Sequence, residues 1–190
     1  MARWEPDARG RLLHAALDLF AEQGYDATTA AQIAERAGLT KTTLFRQFAD
    51  KREILFQGQA ASVATADAAV RGAPPQAHPL EALRIGLDAL AKDHVAEQRE
   101  IGRRAEAITA TSPELQERAA FKRSAISSAL AAALAERVED GVAGVLADIG
   151  TRAYYSGFAE WARADGGDLV ALVRRHLDDL LRDLRPVLDG

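Results

Sequence analysis

The sequence predicts an all-α protein, with a three-helix N-terminal domain followed by a bundle of longer helices, about nine helices in all. Three observations carry that prediction. Alanine and leucine dominate a chain that is 48% hydrophobic, while the β-branched and aromatic residues that favour strands are few. Apolar residues return every three or four positions, the period of a helix. Oxygen-bearing capping residues and glycine or proline breakers fall between the apolar stripes, where helices start and stop.

The first helix is expected over about Asp7 to Gln23, with Pro6 suited to its opening turn. Leu13, Ala16, Leu17 and Phe20 form one apolar stripe, and Gly24 ends the helix. Thr29 with Gln32 makes a capping box for a short second helix that ends near Ala37. Gly38 supplies a left-handed turn residue, and Thr40 caps a third helix through about Phe48. Asp50 and Glu53 place acids at the start of a fourth helix, expected to run unbroken from Lys51 towards Arg71. "GAPPQAHP", residues 72–79, is a loop. Beyond it, helices are expected at roughly 80–98, 100–110, 113–139, 142–164 and 168–184. Ser112 caps and Pro113 opens the third of these, and Asp165-Gly166-Gly167 separates the last two. The domain boundary is placed at 56, giving domains 1–56 and 57–190.

Composition excludes several function classes. With no cysteine there is no disulfide, thiolate metal site or cysteine nucleophile. No apolar run reaches the length of a membrane span, and the charged start "MARWEPDARG" lacks a signal-peptide core, so a cytoplasmic location is expected. His14, His78, His94 and His176 are scattered without metal-ligand spacing. Ser124, Ser127 and Ser128 have no histidine nearby in sequence, and no glycine-rich phosphate motif is present. Neither a cofactor nor an enzyme activity is expected.

The net charge is −4, yet it is unevenly spread. Residues 1–56 hold eight basic and eight acidic residues, and the rest of the chain carries the whole deficit. Within residues 40–52, Lys41, Arg46, Lys51 and Arg52 stand against Asp50 alone. That cationic spot coincides with "AGLTKTTLFRQF", residues 37–48. Two short helices around a glycine turn, braced by a preceding helix, make a helix-turn-helix. Leu44 and Phe48 pack inward against Ile33 and Ala34, and Leu39 fills the corner. The opposite face, slim and rich in donors, suits a DNA major groove.

Residues 9–55 resemble the DNA-binding domain of the tetracycline-repressor (TetR) family of transcriptional regulators. The signposts are Arg11-Leu12-Leu13, Ala15-Ala16, Phe20, Gly24, Thr28-Thr29, Ile33-Ala34, Ala37-Gly38-Leu39-Thr40, Thr43-Leu44-Phe45, Phe48, Lys51 and Leu55. The resemblance implies that Thr29 and Lys51 touch the DNA backbone, while Thr40, Lys41, Thr42, Thr43, Phe45, Arg46 and Gln47 line the groove. Lys41 and Gln47 are the candidates for base edges, with Thr42 against a thymine methyl; Arg3 is a minor-groove candidate. Thr42, Phe45 and Gln47 depart from the glycine, tyrosine and histidine or tyrosine common in relatives, so no operator is carried over.

The family architecture implies a helical ligand-binding and dimerisation domain after the fourth helix. Leu169, Val173, Leu177, Leu180, Leu181 and Leu184 form an apolar stripe expected at a dimer seam, with Val145 and Ile149, flanked by Arg152 and Ser156, as a second strip. An effector cavity is expected among Leu83, Leu87, Leu90, His94, Ile101, Arg104, Ile108, Phe121, Ala125, Tyr154 and Phe158, which fits an apolar or aromatic ligand. The aromatic run Tyr154, Tyr155, Phe158 and Trp161 reads first as core or subunit interface, with the lining of a ligand cavity as the other reading. Expected partners are therefore double-stranded DNA with a palindromic operator, a second copy of the chain, and a small effector, with no membrane. The alternative is a helical ligand-binding or adaptor protein without sequence-specific DNA binding.

Overall fold

The computed structural model describes residues 7–92, 94, 96–164 and 166–188, and every regular element among them is an α-helix. Arg3, Pro6 and Asp165 lie outside the described residues. In chain order the helices are α1 (Ala8–Gln23), α2 (Ala30–Arg36), α3 (Lys41–Gln47), α4 (Arg52–Leu55), α5 (Gln59–Arg71), α6 (Pro79–Ala91), α7 (Ala96–Ala110), α8 (Pro113–Leu134), α9 (Asp140–Arg163) and α10 (Leu169–Leu188).

The expected fourth helix is two helices. Asp50 Oδ1 accepts the Arg52 and Glu53 amide N–H groups at 2.8 and 3.1 Å, which starts α4 where the sequence indicates. Gly58 then takes φ +86°, a left-handed conformation that ends the right-handed run and restarts it as α5. Asp50 itself is held below the ordinary carboxylate range. Burial alone raises its proton affinity, but hydrogen bonds from the Arg52 side chain and the Glu53 and Arg52 amides outweigh it.

The chain divides into two compact units, one comprising the described residues up to Gln57 with Arg104–Ala119, the other Gly58–Arg103 with the residues from Ala120 onward. In the first unit α1 is the spine. Asp7 caps it by accepting the Gly10 N–H at 2.8 Å, and Leu12, Leu13, Leu17 and Phe20 point inward. Ile33, Leu44, Phe48, Ile54, Ile108 and Leu115 complete this core. Each such side chain contributes about 1.5–3 kcal/mol on burial. Ion pairs fix the 104–119 segment to the rest of the unit: Arg104 meets Asp18 at 2.6 Å, Arg118 meets Glu53 at 2.5 Å, and Glu114 accepts the Tyr25 hydroxyl at 3.3 Å.

The second unit is a helical bundle whose core joins Val70, Leu83, Leu87, Leu130, Leu134, Tyr154, Trp161, Leu169, Val173 and Leu177. Gly157 lets α9 and α10 touch backbone to backbone, since a Cβ there would lie 2.9 Å from the Val173 amide nitrogen. Arg137 gathers the carbonyls at the end of α5, donating to Ala73 at 2.7 Å and Pro74 at 2.9 Å. Arg84 pairs with Asp178, and Arg174 Nε donates to Asp88 at 3.0 Å, linking α6 to α10.

That packing corrects part of the expected dimer stripe. Leu169, Val173 and Leu177 are 3%, 0% and 1% exposed and belong to the protomer's own core against α9. An amphipathic stripe records that a partner is needed, and here α9 of the same chain supplies it. Leu180, Leu181 and Leu184 remain half-buried, Ile149 is half-buried, and Val145 is exposed.

Candidate nucleic-acid interface

Helices α2 and α3, each of seven residues, form the helix-turn-helix. Thr29 Oγ1 accepts the Gln32 N–H at 3.2 Å, and the Gln32 side chain accepts the Thr29 N–H at 2.8 Å, completing the capping box read from sequence. At the turn Gly38 has φ +66°, and the Leu39 N–H donates to the Ala34 carbonyl at 2.8 Å. Arg11 of α1 donates to the Ala37 carbonyl and so ties the turn to the spine. Thr40 Oγ1 accepts the Thr43 N–H at 3.1 Å and starts α3.

The two faces of α3 differ as the spacing predicts. Leu44 and Phe48 are 0% and 4% exposed, whereas Phe45 is 46% exposed. Thr29, Thr40, Lys41, Thr42 and Arg46 are exposed, and Thr43 and Gln47 are half-buried. A turn of about 100° per residue puts Thr42 and Arg46 opposite the Leu44–Phe48 face. Lys41 and Phe45 lie on one flank, with the Lys41 ammonium 5.7 Å from the Phe45 ring centroid. Thr43 and Gln47 lie on the other. Among the described residues neither Lys41 nor Arg46 has a carboxylate partner, so the edge presents two unneutralised cations.

Lys51 has partners within the unit that the sequence expectation did not include. Its ammonium donates to the Tyr25 carbonyl at 2.7 Å and the Thr28 carbonyl at 3.0 Å, and lies 4.0 Å from the Tyr25 ring centroid. A cation near a helix N-terminus opposes the helix dipole, which favours reading it as a phosphate contact. The loop carbonyls after α1 supply another reason, invisible from local spacing. Arg52, half-exposed, meets Asp50 at 2.6 Å and Glu114 at 3.3 Å.

The residues expected to line an effector cavity are divided between the two units. Arg104 and Ile108 belong to the first unit, where Arg104 pairs with Asp18 and Ile108 is buried. Phe121 is 61% exposed. In the second unit Leu83, Leu87, Leu90 and Tyr154 are core. His94 packs edge-on to Phe158 at 5.5 Å and Trp161 at 5.8 Å, so those rings fill one another. Ile101 and Ala125 are half-buried. Helical period alone locates the inward faces but not the gaps between them.

A concave feature of the second unit lies between α8 and α9, an open groove of about 700 Å³. Arg123, Ser124 and Ser127 of α8 line it with Asp148, Ile149, Thr151, Arg152, Tyr155, Ser156 and Ala159 of α9. None of the expected cavity residues is among them. A signal is present in sequence, as Ile149, Arg152 and Ser156 share one face of α9, but it reads as an interface.

Comparison with known proteins adds to this geometry. The family model of bacterial regulatory proteins, tetR family, matches residues 12–57, and the model of the MftR C-terminal domain matches residues 77–185. A curated relative, the HTH-type transcriptional regulator TcmR of Streptomyces glaucescens, is 39% identical over 75 residues, covering 40% of this chain and 33% of that one. The match thus spans about a third of that relative's length. Among solved structures, Thermus thermophilus FadR, a TetR-family repressor in complex with lauroyl-CoA, is similar with a TM-score of 0.58 and 26% identity, covering 91% of this chain and 93% of that one. PfmR, a TetR-family regulator also from Thermus thermophilus, has a TM-score of 0.50 and 28% identity over 90% of this chain and 97% of that one.

Proposed function

The chain belongs to the tetR family of bacterial regulatory proteins, and from that premise we propose that it is a homodimeric, ligand-responsive repressor of a palindromic operator. The observation that carries this reading is the exposed α3 edge, with Lys41, Thr42 and Arg46 outward and Leu44 and Phe48 locked behind. Inserted in a major groove, Arg46 and Lys41 meet phosphates or guanine edges, Thr42 meets a thymine methyl, and Gln47 reaches an adenine from the flank. Thr29 and Thr40 hold the two helix starts in register for that insertion. Phe45 has no hydroxyl to give a phosphate and contributes an apolar flank.

Two copies present two such edges. Gly157 meets Val173, so the antiparallel α9–α10 pair brings Val142 and Val145 towards the Leu181–Leu184 end. Val142 is 45% and Val145 60% exposed there. That end is the proposed seam; a two-fold dimer that reads successive major grooves needs its recognition helices about 34–36 Å apart. A ligand that binds better to a differently spaced dimer lowers DNA affinity by its differential affinity for the two forms. The lauroyl-CoA complex of the Thermus thermophilus neighbour makes an acyl thioester the first effector to test.

Selection of bound sequences from random duplex DNA tests the reading. The expected result is a two-fold symmetric site, with affinity falling linearly in log salt concentration and Arg46→Ala weakening that dependence. Recovery of no preferred sequence, with binding indifferent to salt, replaces it with the helical adaptor.

A further inference from the structure

We propose that Arg9 is a further DNA-contacting residue, a phosphate ligand that α1 supplies beside the Gln47 end of the recognition helix. It stands in the first turn of α1, just after the Asp7 cap. A cation there opposes the helix dipole, so the stability of α1 does not explain it. Its contacts lie elsewhere in the unit. The guanidinium carbon is 4.6 Å from the Phe48 ring centroid, Nη1 donates to the Gln47 carbonyl at 3.4 Å, and Nε donates to the Gln57 side chain at 3.3 Å. Phe48 is 4% exposed, so the ring under the guanidinium is itself fixed by the core of the unit.

Those contacts orient Arg9 without neutralising it. Arg36, Arg52, Arg104 and Arg118 of the same unit each face a carboxylate, whereas Arg9 has none among the described residues. It is exposed, and its two hydrogen bonds among the described residues leave most of the guanidinium N–H groups for a further acceptor. A planar cation already held in place loses little freedom when its fork takes up a phosphate. Its position also completes α3. A helix lying in a major groove runs between two phosphate backbones, and contacts to them fix its register. The flank of α3 with Phe45 has Lys41, and the outer face has Arg46, but the flank with Thr43 and Gln47 has no cation of its own. Arg9 stands at Gln47 and supplies one from 38 residues away in sequence. The main chain of a base-reading candidate is thus held by the same group that grips the phosphate.

This rests on the DNA-binding reading and deepens it, yet the two fail separately. Affinities of the full chain for its selected duplex and for a random duplex are measured across salt concentrations, for the parent, Arg9→Gln and Arg9→Lys. Arg9→Gln is expected to weaken both duplexes by about tenfold or more for each protomer bound. It should also lower the slope of log affinity against log salt by about 0.9 per protomer. Arg9→Lys, which keeps the charge and loses the fork, is expected to keep the slope and recover part of the affinity. An unchanged slope in Arg9→Gln overturns the proposal, whatever happens to the unfolding midpoint, because Arg9 then only closes the end of α3. So does a loss of preference at one base pair with affinity for the random duplex intact. A parent chain whose binding is indifferent to salt overturns the DNA-binding reading itself, and the role of Arg9 with it.

Discussion

The two units leave charge unmatched in different places. In the first, α3 carries Lys41 and Arg46 outward with no acid beside them among the described residues, while Arg11, Arg36, Lys51, Arg52 and Arg104 turn onto carbonyls or carboxylates. In the second, ion pairs knit α6 to α10 and α9 to α10, and two guanidiniums without a carboxylate share one groove. Surface ion pairs contribute little to stability, about 0–1 kcal/mol each. What the contrast teaches is where charge has been left unmatched, and on the α3 edge that is where a charged partner fits.

The comparison can be broken at several points, beginning with the largest effect. Leu177→Ala is expected to cost about 2–5 kcal/mol of unfolding stability, because Leu177 is core rather than seam. Chemical denaturation at two protein concentrations checks it: the loss should be the same at both, whereas a seam residue would give a concentration-dependent one. Lys51→Ala comes next, at about 1.5–3 kcal/mol for a charged donor removed from the Tyr25 and Thr28 carbonyls. Its effect on DNA binding should appear as lost stability with the salt slope of affinity unchanged. A slope lower by about 0.9 would return Lys51 to the phosphate-contacting set.

Thr40→Ala removes the cap of α3 and is expected to cost about 0.5–2 kcal/mol, together with operator affinity, as read by thermal unfolding and a binding titration. The smallest effect concerns acid. Asp50 has a depressed pKa in the folded state, so its contribution is complete above the unfolded value and is lost as pH falls through the folded one, below about pH 4. The gap between unfolding midpoints at pH 7 and pH 3 should therefore be narrower in Asp50→Asn than in the parent chain.

The unevenness of what the sequence discloses follows from the same contrast. Helices α1 to α3 are specified by short-range devices, such as the Thr29–Gln32 box and the Thr40 cap, whose partners lie three residues away. Such signals survive in a bare sequence. The inner stripe of α10 is equally visible, but its partner lies on α9, and nothing in a helical period distinguishes a neighbour in the same chain from one in another. The intramolecular partners of Lys51 are hidden for a related reason, since its acceptors are 26 and 23 residues distant. The break at Gly58 is legible in principle, as a glycine inside a helical run, though an alanine-rich continuation masks it.

Because Arg104–Ala119 is stitched into the first unit, that unit is not a contiguous stretch of chain. A fragment cut after Gln57 would lack Ile108 and Leu115, two of the side chains that fill its interior, and would strand Asp18, Glu53 and Tyr25 without their counterparts. Anyone grafting this DNA-reading module onto another sensor must therefore transplant the distant corner with it, or redesign the surface its removal lays bare.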